Sequence, residues 1–316
     1  MLFGNIVSRF EKIQPDILDT HYKAIESGYI STEIDYDESP HKVKTPFSNR
    51  KTRQIYLQET YLSYLWSFIY SIFVIYEEGI QKRMIERTWD GMVNYDDNPL
   101  LTRAHKLFLW SISLIDTYSP WDNKLPNPKI HANAQEQFYA EKVNGIFQDA
   151  VAFIMFHEFA HLTHGHDIYY KLEDNTQEDK EKNYNLLEIE KEADNFAFDT
   201  LMKEYDDTSK QLTSIFAIQF VLTSSFLLEP NKSQTIQYSH PTLDNRLFYF
   251  LQKINTGKVE HDFYIKHISS IGLRMYLEKY KILNTYNKIN EFDTVEDMIN
   301  HYLETLDHFR KKLQNN

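Results

Sequence analysis

The stretch Phe153-Ile-Met-Phe-His-Glu-Phe-Ala-His161 decides the fold that we expect. It is an apolar run that contains two histidines four positions apart, with a glutamate directly after the first. Residues four apart lie on the same face of an α-helix, so the imidazoles of His157 and His161 can reach one metal ion. Glu158 projects beside that ion and can take a proton from a water molecule. The sequence therefore predicts a helix from about Gly145 to His164 with a metal site near its end.

The His-Glu-x-x-His pattern is typical of zinc metallopeptidases, in which two neutral imidazoles bind one Zn²⁺ ion and the carboxylate acts as the base. The alternative is a core helix with two histidines at its polar end. A catalytic zinc needs a third protein ligand, and Glu190 is the best candidate, with Asp194 placed to accept the spare N–H of a ligand histidine. Glu188 and Glu192 are rivals of the same type. Small residues around Glu190 favour it because they allow close helix packing.

A second motif, Ser239-His-Pro-Thr-Leu-Asp-Asn-Arg246, opens another predicted helix. We predict catalytic roles for His240 and Arg246. The imidazole could donate to the oxyanion of a tetrahedral intermediate, and the guanidinium could position that imidazole or the substrate carbonyl. The alternative is a histidine that caps the helix and an arginine on the surface.

The composition narrows the class of protein. The chain has 316 residues, a formal net charge of −12 and no cysteine, so disulfides, thiolate zinc sites and cysteine nucleophiles are excluded. The negative charge argues against a nucleic-acid partner. The first ten residues lack the pattern of a secretory signal, and we therefore expect a cytoplasmic protein.

The predicted fold is mainly α with a small antiparallel β-sheet near the N-terminus, in a zincin-like metallopeptidase. We expect one domain over 1–316, in which residues 1–57 include the sheet, residues 58–250 form the helical catalytic core and residues 251–316 form a C-terminal helical extension. An acidic stretch at 167–182 is interpreted as a solvated connection, and the alternative is a lid over the metal at 167–185.

Two long runs without charge, 60–76 and 212–228, are the candidates for membrane helices. We favour buried core helices for both, because serines recur along the first run and its length is the minimum for a span. A membrane partner is therefore not expected.

Three motifs follow one another in the chain: His157-Glu-x-x-His161, Glu190-x-x-Ala-Asp194 and His240-Pro-Thr-Leu-Asp-Asn-Arg246. In this order they resemble the gluzincin peptidases related to the prenyl-protein protease and the HtpX heat-shock protease. A closer resemblance, over roughly residues 25–250, is to the Lit family of bacterial phage-exclusion peptidases. It rests on the run Leu62-Ser-Tyr-Leu-Trp-Ser-Phe, the loop Trp121…Pro126-Asn-Pro128, the His-Glu-x-x-His helix and Glu190-Lys-Glu-Ala-Asp194.

The resemblance to the Lit family implies a zinc endopeptidase that stays dormant in the bacterial cytoplasm until phage infection, with a phage-derived activator. It implies a protein substrate, namely translation elongation factor Tu, which the namesake of the family cleaves. The matching positions are His157, His161 and Glu190 as ligands and Glu158 as the base.

Two other functions stay open at this stage. The first is a membrane-associated quality-control metallopeptidase that uses 60–76 and 212–228 as spans. The second is a zinc-stabilised binding or sensor protein with no catalytic activity.

Overall fold

Helices dominate the computed structural model of the chain. The structure describes residues 3–12, 15–164, 179–203, 208–228, 242–254, 256–283, 292 and 294–314. The helices, in chain order, are α1 (Phe3–Lys12), α2 (Pro15–Glu26), α3 (Glu59–Val74), α4 (Lys82–Ile85), α5 (Pro99–Asp116), α6 (Ala134–Thr163), α7 (Asp179–Met202), α8 (Thr208–Leu228), α9 (Leu243–Lys253), α10 (Val259–Lys279) and α11 (Val295–Gln314). The strands are β1 (Asp35–Asp37), β2 (Phe47–Asn49) and β3 (Gln54–Gln58).

Helix α6 is the long central element that carries the His-Glu-x-x-His pattern. It begins after Asn133, whose side chain accepts a hydrogen bond from the backbone N–H of Glu136. A capping side chain of this kind satisfies one of the free N–H groups of the first turn. The helix starts eleven residues earlier than Gly145, where we predicted it, because its first turns are partly polar. Helices α1, α3, α7 and α8 pack around it and bury most of its length.

The small sheet is mixed, so our prediction of an antiparallel sheet is wrong in part. Strand β3 lies in the centre, with β2 antiparallel on one side and β1 parallel on the other. A hairpin joins β2 to β3, and its turn includes Arg53 at φ 61°. Strand β1 runs parallel because the chain crosses to α5 before β2, where the N–H of Val43 donates to the carbonyl of Leu114 at 2.9 Å. Three-residue strands contain too little pattern to reveal this crossover.

Helix α3 and the segment that follows it account for the first uncharged run. Fourteen of its residues are buried, including Ser67 and Ser71, so this run is a core helix in the described structure. The α-helical hydrogen bonding ends at Val74, and the chain continues as a π-helical segment, Ile75–Gln81. Gly79 suits this segment, because a Cβ atom there would lie 3.0 Å from Val93.

Helix α8 contains the second uncharged run. Among the helices of the described residues, it is the one that is long and apolar enough to cross a membrane, and 72% of its window Gln211–Leu228 is buried. This is weak support for a span, since a buried core helix passes the same test.

The N-terminal helix α1 is fixed to α6 by a buried polar contact and by aromatic rings. The Nε of Arg9 donates to Asp149 at 2.7 Å, and the hydroxyl of Ser214 donates to the other carboxylate oxygen at 2.8 Å. The ring of Phe10 packs against Phe156, with 4.9 Å between centroids. Helix α1 ends at Lys12 and α2 begins at Pro15, since a proline favours the first turn of a new helix.

Candidate metal centre

Helix α6 places both histidines of the motif side by side in the interior. His157 is 9% exposed and His161 is 5% exposed. Their Nε2 atoms lie 3.1 Å apart, as the spacing of four residues predicts. Two largely buried imidazole nitrogens at this distance can share one cation.

Helix α7 brings Glu190 to the same point. Its carboxylate oxygens lie 3.3 Å from the Nε2 of His157 and 3.5 Å from the Nε2 of His161. The rivals point elsewhere: Glu188 pairs with Lys191 at 2.7 Å and Glu192 lies 3.0 Å from His164. The three candidate ligands that we predicted therefore meet, and their ligand atoms all lie within 4.8 Å of one another.

The donor set fits a divalent metal. Two imidazoles and one carboxylate is a known ligand set of catalytic zinc, and it leaves a further coordination position open. Asp194 lies 3.0 Å from the Nδ1 of His157, so in the neutral imidazole it can accept the Nδ1 proton and leave the Nε2 lone pair for a metal. A buried group of converging lone pairs needs a cation or protons to be stable. The cluster could therefore hold a metal ion, and other divalent ions that accept nitrogen and oxygen ligands fit the same chemistry.

The electrostatics of the protein without metal show the same demand for positive charge. Burial disfavours the charged form of His157, but hydrogen bonds to Asp194 and Glu190 outweigh burial and raise the pKa of this imidazole. Burial likewise disfavours the charged form of Glu190, yet its contacts with the two histidines lower the pKa of the carboxyl. The site thus favours an anionic carboxylate beside a positive charge.

Arg246 supports the cluster through Asp194. Its Nε and Nη2 atoms donate to the two oxygens of Asp194 at 2.8 and 2.6 Å, a two-pronged contact that fixes the plane of the carboxylate. Although burial opposes it, the charge of Arg246 lowers the pKa of Asp194, so the carboxylate stays ionised. The guanidinium is therefore directed at the partner of His157. Its predicted role at a substrate oxyanion stays a prediction, and His240 lies outside the described residues.

Glu158 lies buried beside the cluster, with 9% of the residue exposed. Burial raises the pKa of its carboxyl, the positive charges of the two histidines lower it, and the backbone N–H of Ser48 in β2 also lowers it through a hydrogen bond. A carboxylate with a raised pKa holds a transferred proton better than an exposed one. The group has the environment of a general base.

Two neighbours of Glu158 were not predicted from the sequence. One is Ser48, whose backbone belongs to the edge strand β2. The other is Tyr61, a buried side chain whose pKa is raised by burial and further by the charge of Glu158. Neither belongs to a motif with fixed spacing, so only the packing of β2 and the start of α3 against α6 could have found them. The side chains of the predicted lid, 167–185, lie outside the described residues, and the backbone of 179–185 belongs to α7.

Comparison with known proteins gives one match. The family model described as Peptidase U49 matches residues 55–269, which include the whole metal cluster and Arg246. No curated protein and no solved structure matches the chain. The matched region is more than half of the chain and contains the residues that the structure brings together. The chain therefore belongs to the peptidase U49 family, whose activity is hydrolysis of peptide bonds.

Proposed function

We propose that the protein is a zinc-dependent endopeptidase of the bacterial cytoplasm. The observation that supports this proposal best is the buried meeting of His157, His161 and Glu190 from two helices, with Glu158 beside them. A purely structural role would not require a second, uncoordinated carboxylate at the same point. Membership of a peptidase family agrees with a protein substrate.

The residues divide the work of peptide hydrolysis as follows. His157, His161 and Glu190 would hold the zinc ion, which when bound would polarise a peptide carbonyl and acidify a water. Glu158 accepts the proton of the attacking water and returns it to the leaving amine. Asp194 and Arg246 fix the ring of His157.

We further propose that the peptidase is latent and acts in defence against phage, with elongation factor Tu as its substrate and a phage product as its activator. The support is the sequence resemblance to the Lit family over residues 25–250. Latency has a physical motive as well, since an unrestrained protease in the cytoplasm would damage its host. The roles of His240 and Arg246 at the oxyanion belong to the same proposal.

The Glu158→Gln variant tests the catalytic proposal. The amide keeps the size of the side chain and cannot accept a proton, so we expect zinc binding within twofold of wild type. Cleavage should fall by roughly 10²–10⁴-fold. New protein N-termini are compared by mass spectrometry between cells that express wild type and variant, with and without phage infection.

Each result of that comparison has a meaning. Fragments of elongation factor Tu that need both wild-type protein and infection support the full proposal. Fragments of another protein correct the substrate, and fragments without infection refute latency. If the Glu158→Gln variant keeps the full biological effect, the protein is a binding protein instead. Cell fractionation is a separate test, in which recovery of the protein only in detergent shows a membrane peptidase.

A further inference from the structure

A buried ion pair ties the C-terminal helix α11 to the first turn of α9. Arg310 donates through Nη1 and Nη2 to the two oxygens of Asp244, both at 2.6 Å. The side chains are 13% and 10% exposed. Removal of one partner from a buried pair leaves an unpaired charge in the interior, so this contact strongly constrains the two helices.

The same turn of α9 carries Arg246, two residues after Asp244. Because both lie in one helical turn, a shift of Asp244 moves the backbone of Arg246 with it. Arg246 in turn is bonded to Asp194, and Asp194 to the Nδ1 of His157 at 3.0 Å. The contacts thus run without a break from α11 to a candidate metal ligand.

The other end of α9 is fixed separately. The hydroxyl of Tyr249 donates to Asn195 at 2.7 Å, and the ammonium of Lys253 donates to the same oxygen at 2.9 Å. Phe250 stacks on Phe198 of α7, with 5.2 Å between centroids. These contacts fix the last turns of α9, whereas the pair of Arg310 and Asp244 fixes its first turn, which contains Arg246.

We propose that Arg310 is a positioning residue of the metal centre, which acts through Asp244 and Arg246 on Asp194 and thereby on His157. The inference rests on the proposed function. It assigns a role to helix α11, which begins at Val295 and so lies beyond the family match that ends at residue 269. The C-terminal extension is then part of the working site.

The chain supplies a matched control for Arg310. Its neighbour Lys311 pairs with Asp307 of the same helix, also at 2.6 Å, but these side chains are 67% and 57% exposed and remain within α11. Arg310→Met and Lys311→Met each remove one ion pair of equal length from the same helix. A difference between them therefore separates the buried contact with α9 from the loss of one positive charge on α11.

The experiment measures zinc affinity by competition with a coloured chelator, the kcat and KM for purified elongation factor Tu in extract of phage-infected cells, and the visible spectrum of the Co²⁺-loaded protein. For Arg310→Met we expect zinc affinity and kcat to fall at least threefold, with KM unchanged, and the Co²⁺ bands to shift. Arg310→Lys should recover part of the loss. Lys311→Met should stay within twofold of wild type.

A double variant tests the route of the effect. If Arg310 acts through Arg246, the loss of zinc affinity caused by Arg310→Met should disappear in an Arg246→Met background. Should Arg310→Met not fold, the variant Asp244→Asn with Arg310→Gln leaves no buried charge unpaired and undergoes the same measurements.

Two failures are distinguishable. If wild type takes up no zinc, and cleaves nothing even in the presence of extract from phage-infected cells, the proposed function is wrong. If wild type binds zinc and cleaves, while the Arg310 variants lose thermal stability alone and match Lys311→Met in affinity, kcat and spectrum, then Arg310 is merely structural and this inference is overturned.

Discussion

Helix α6 carries two buried groups of polar side chains, about two turns apart, which we call stations. They differ in the partners that their polar atoms have. At the first, both oxygens of Asp149 accept from donors, Arg9 and Ser214. At the second, His157, His161 and Glu190 bring two imidazole nitrogens and a carboxylate oxygen within 4.8 Å of one another. A buried group that has its donors is complete and serves the fold. Two imidazoles and a carboxylate that converge on one point form a ligand set for a divalent metal, and this comparison therefore places the candidate functional site at the second station.

The largest effect that would test this contrast is the removal of one candidate ligand. With His161→Ala we expect no measurable cleavage, because the remaining two ligands cannot hold the ion in place. In wild type, zinc at a hundred times its Kd should stabilise the fold by about 2.7 kcal/mol.

Thermal unfolding with and without zinc measures that gain, which should vanish in His161→Ala. The control is His131→Ala in the loop before α6. An undiminished gain in the His161 variant would show that zinc binds elsewhere.

Asp194→Asn should have the next largest effect. The amide loses the charge that pairs with Arg246 and weakens the bond that orients His157. Changes of this kind typically lower metal affinity or activity by roughly 10–100-fold. Chelator competition and kcat/KM measure both. The exposed Asp199→Asn on the same helix serves as the matched control, and equal results for the two variants would contradict the role of Asp194.

The complementary change at the first station is Asp149→Asn, which should affect stability and leave the metal centre alone. It weakens the bond to Arg9, whose side chain is 29% exposed and therefore partly solvated. We expect a loss of about 1–3 kcal/mol in the free energy of unfolding. Urea denaturation provides the value, and zinc should still stabilise the variant by the same increment. A large loss of zinc affinity would show that Asp149 also serves the metal centre, and it would contradict the separation of the two stations.

The smallest effect concerns pH and the Arg310 pair, which resembles the first station because it is complete. Burial opposes ionisation of Asp244, but its bonds to Arg310 outweigh burial and lower the pKa of the carboxyl. A lowered pKa in the folded state means that the stabilisation is present above the unfolded pKa of about 3.9 and is lost as pH falls through the folded value. Stability of metal-free protein against pH should therefore fall less steeply on the acid side in Asp244→Asn. Identical curves would rule out the coupling.

The sequence alone predicted the part of the site that lies within one helix. The spacing of His157 and His161 follows from helical geometry, and it holds however the rest of the chain packs. The choice of Glu190 over Glu188 and Glu192 was supported by neighbouring small residues. The structure gives its physical basis, since Glu190 lies against both histidines of the motif, whereas Glu188 and Glu192 contact Lys191 and His164.

What the sequence could not predict depends on contacts between distant segments. The pair of Asp244 and Arg310 spans 66 positions, and no short motif encodes it. The parallel pairing of β1, the π-helical segment after Val74 and the approach of Ser48 to Glu158 also depend on packing. The element types were predictable from composition and periodicity, whereas the direction of each pairing was not.

Strand β2 has a practical consequence for anyone who would prepare a shorter protein. The recognised family region begins at residue 55, whereas β2 ends at Asn49. A fragment trimmed to the recognised region would keep every residue of the signature and still lack the amide that contacts Glu158, along with α11 at the other end. We expect such a fragment to match the family model in full and yet to be less active than the whole chain. The limits of the family match therefore do not define the smallest fragment that we expect to be active.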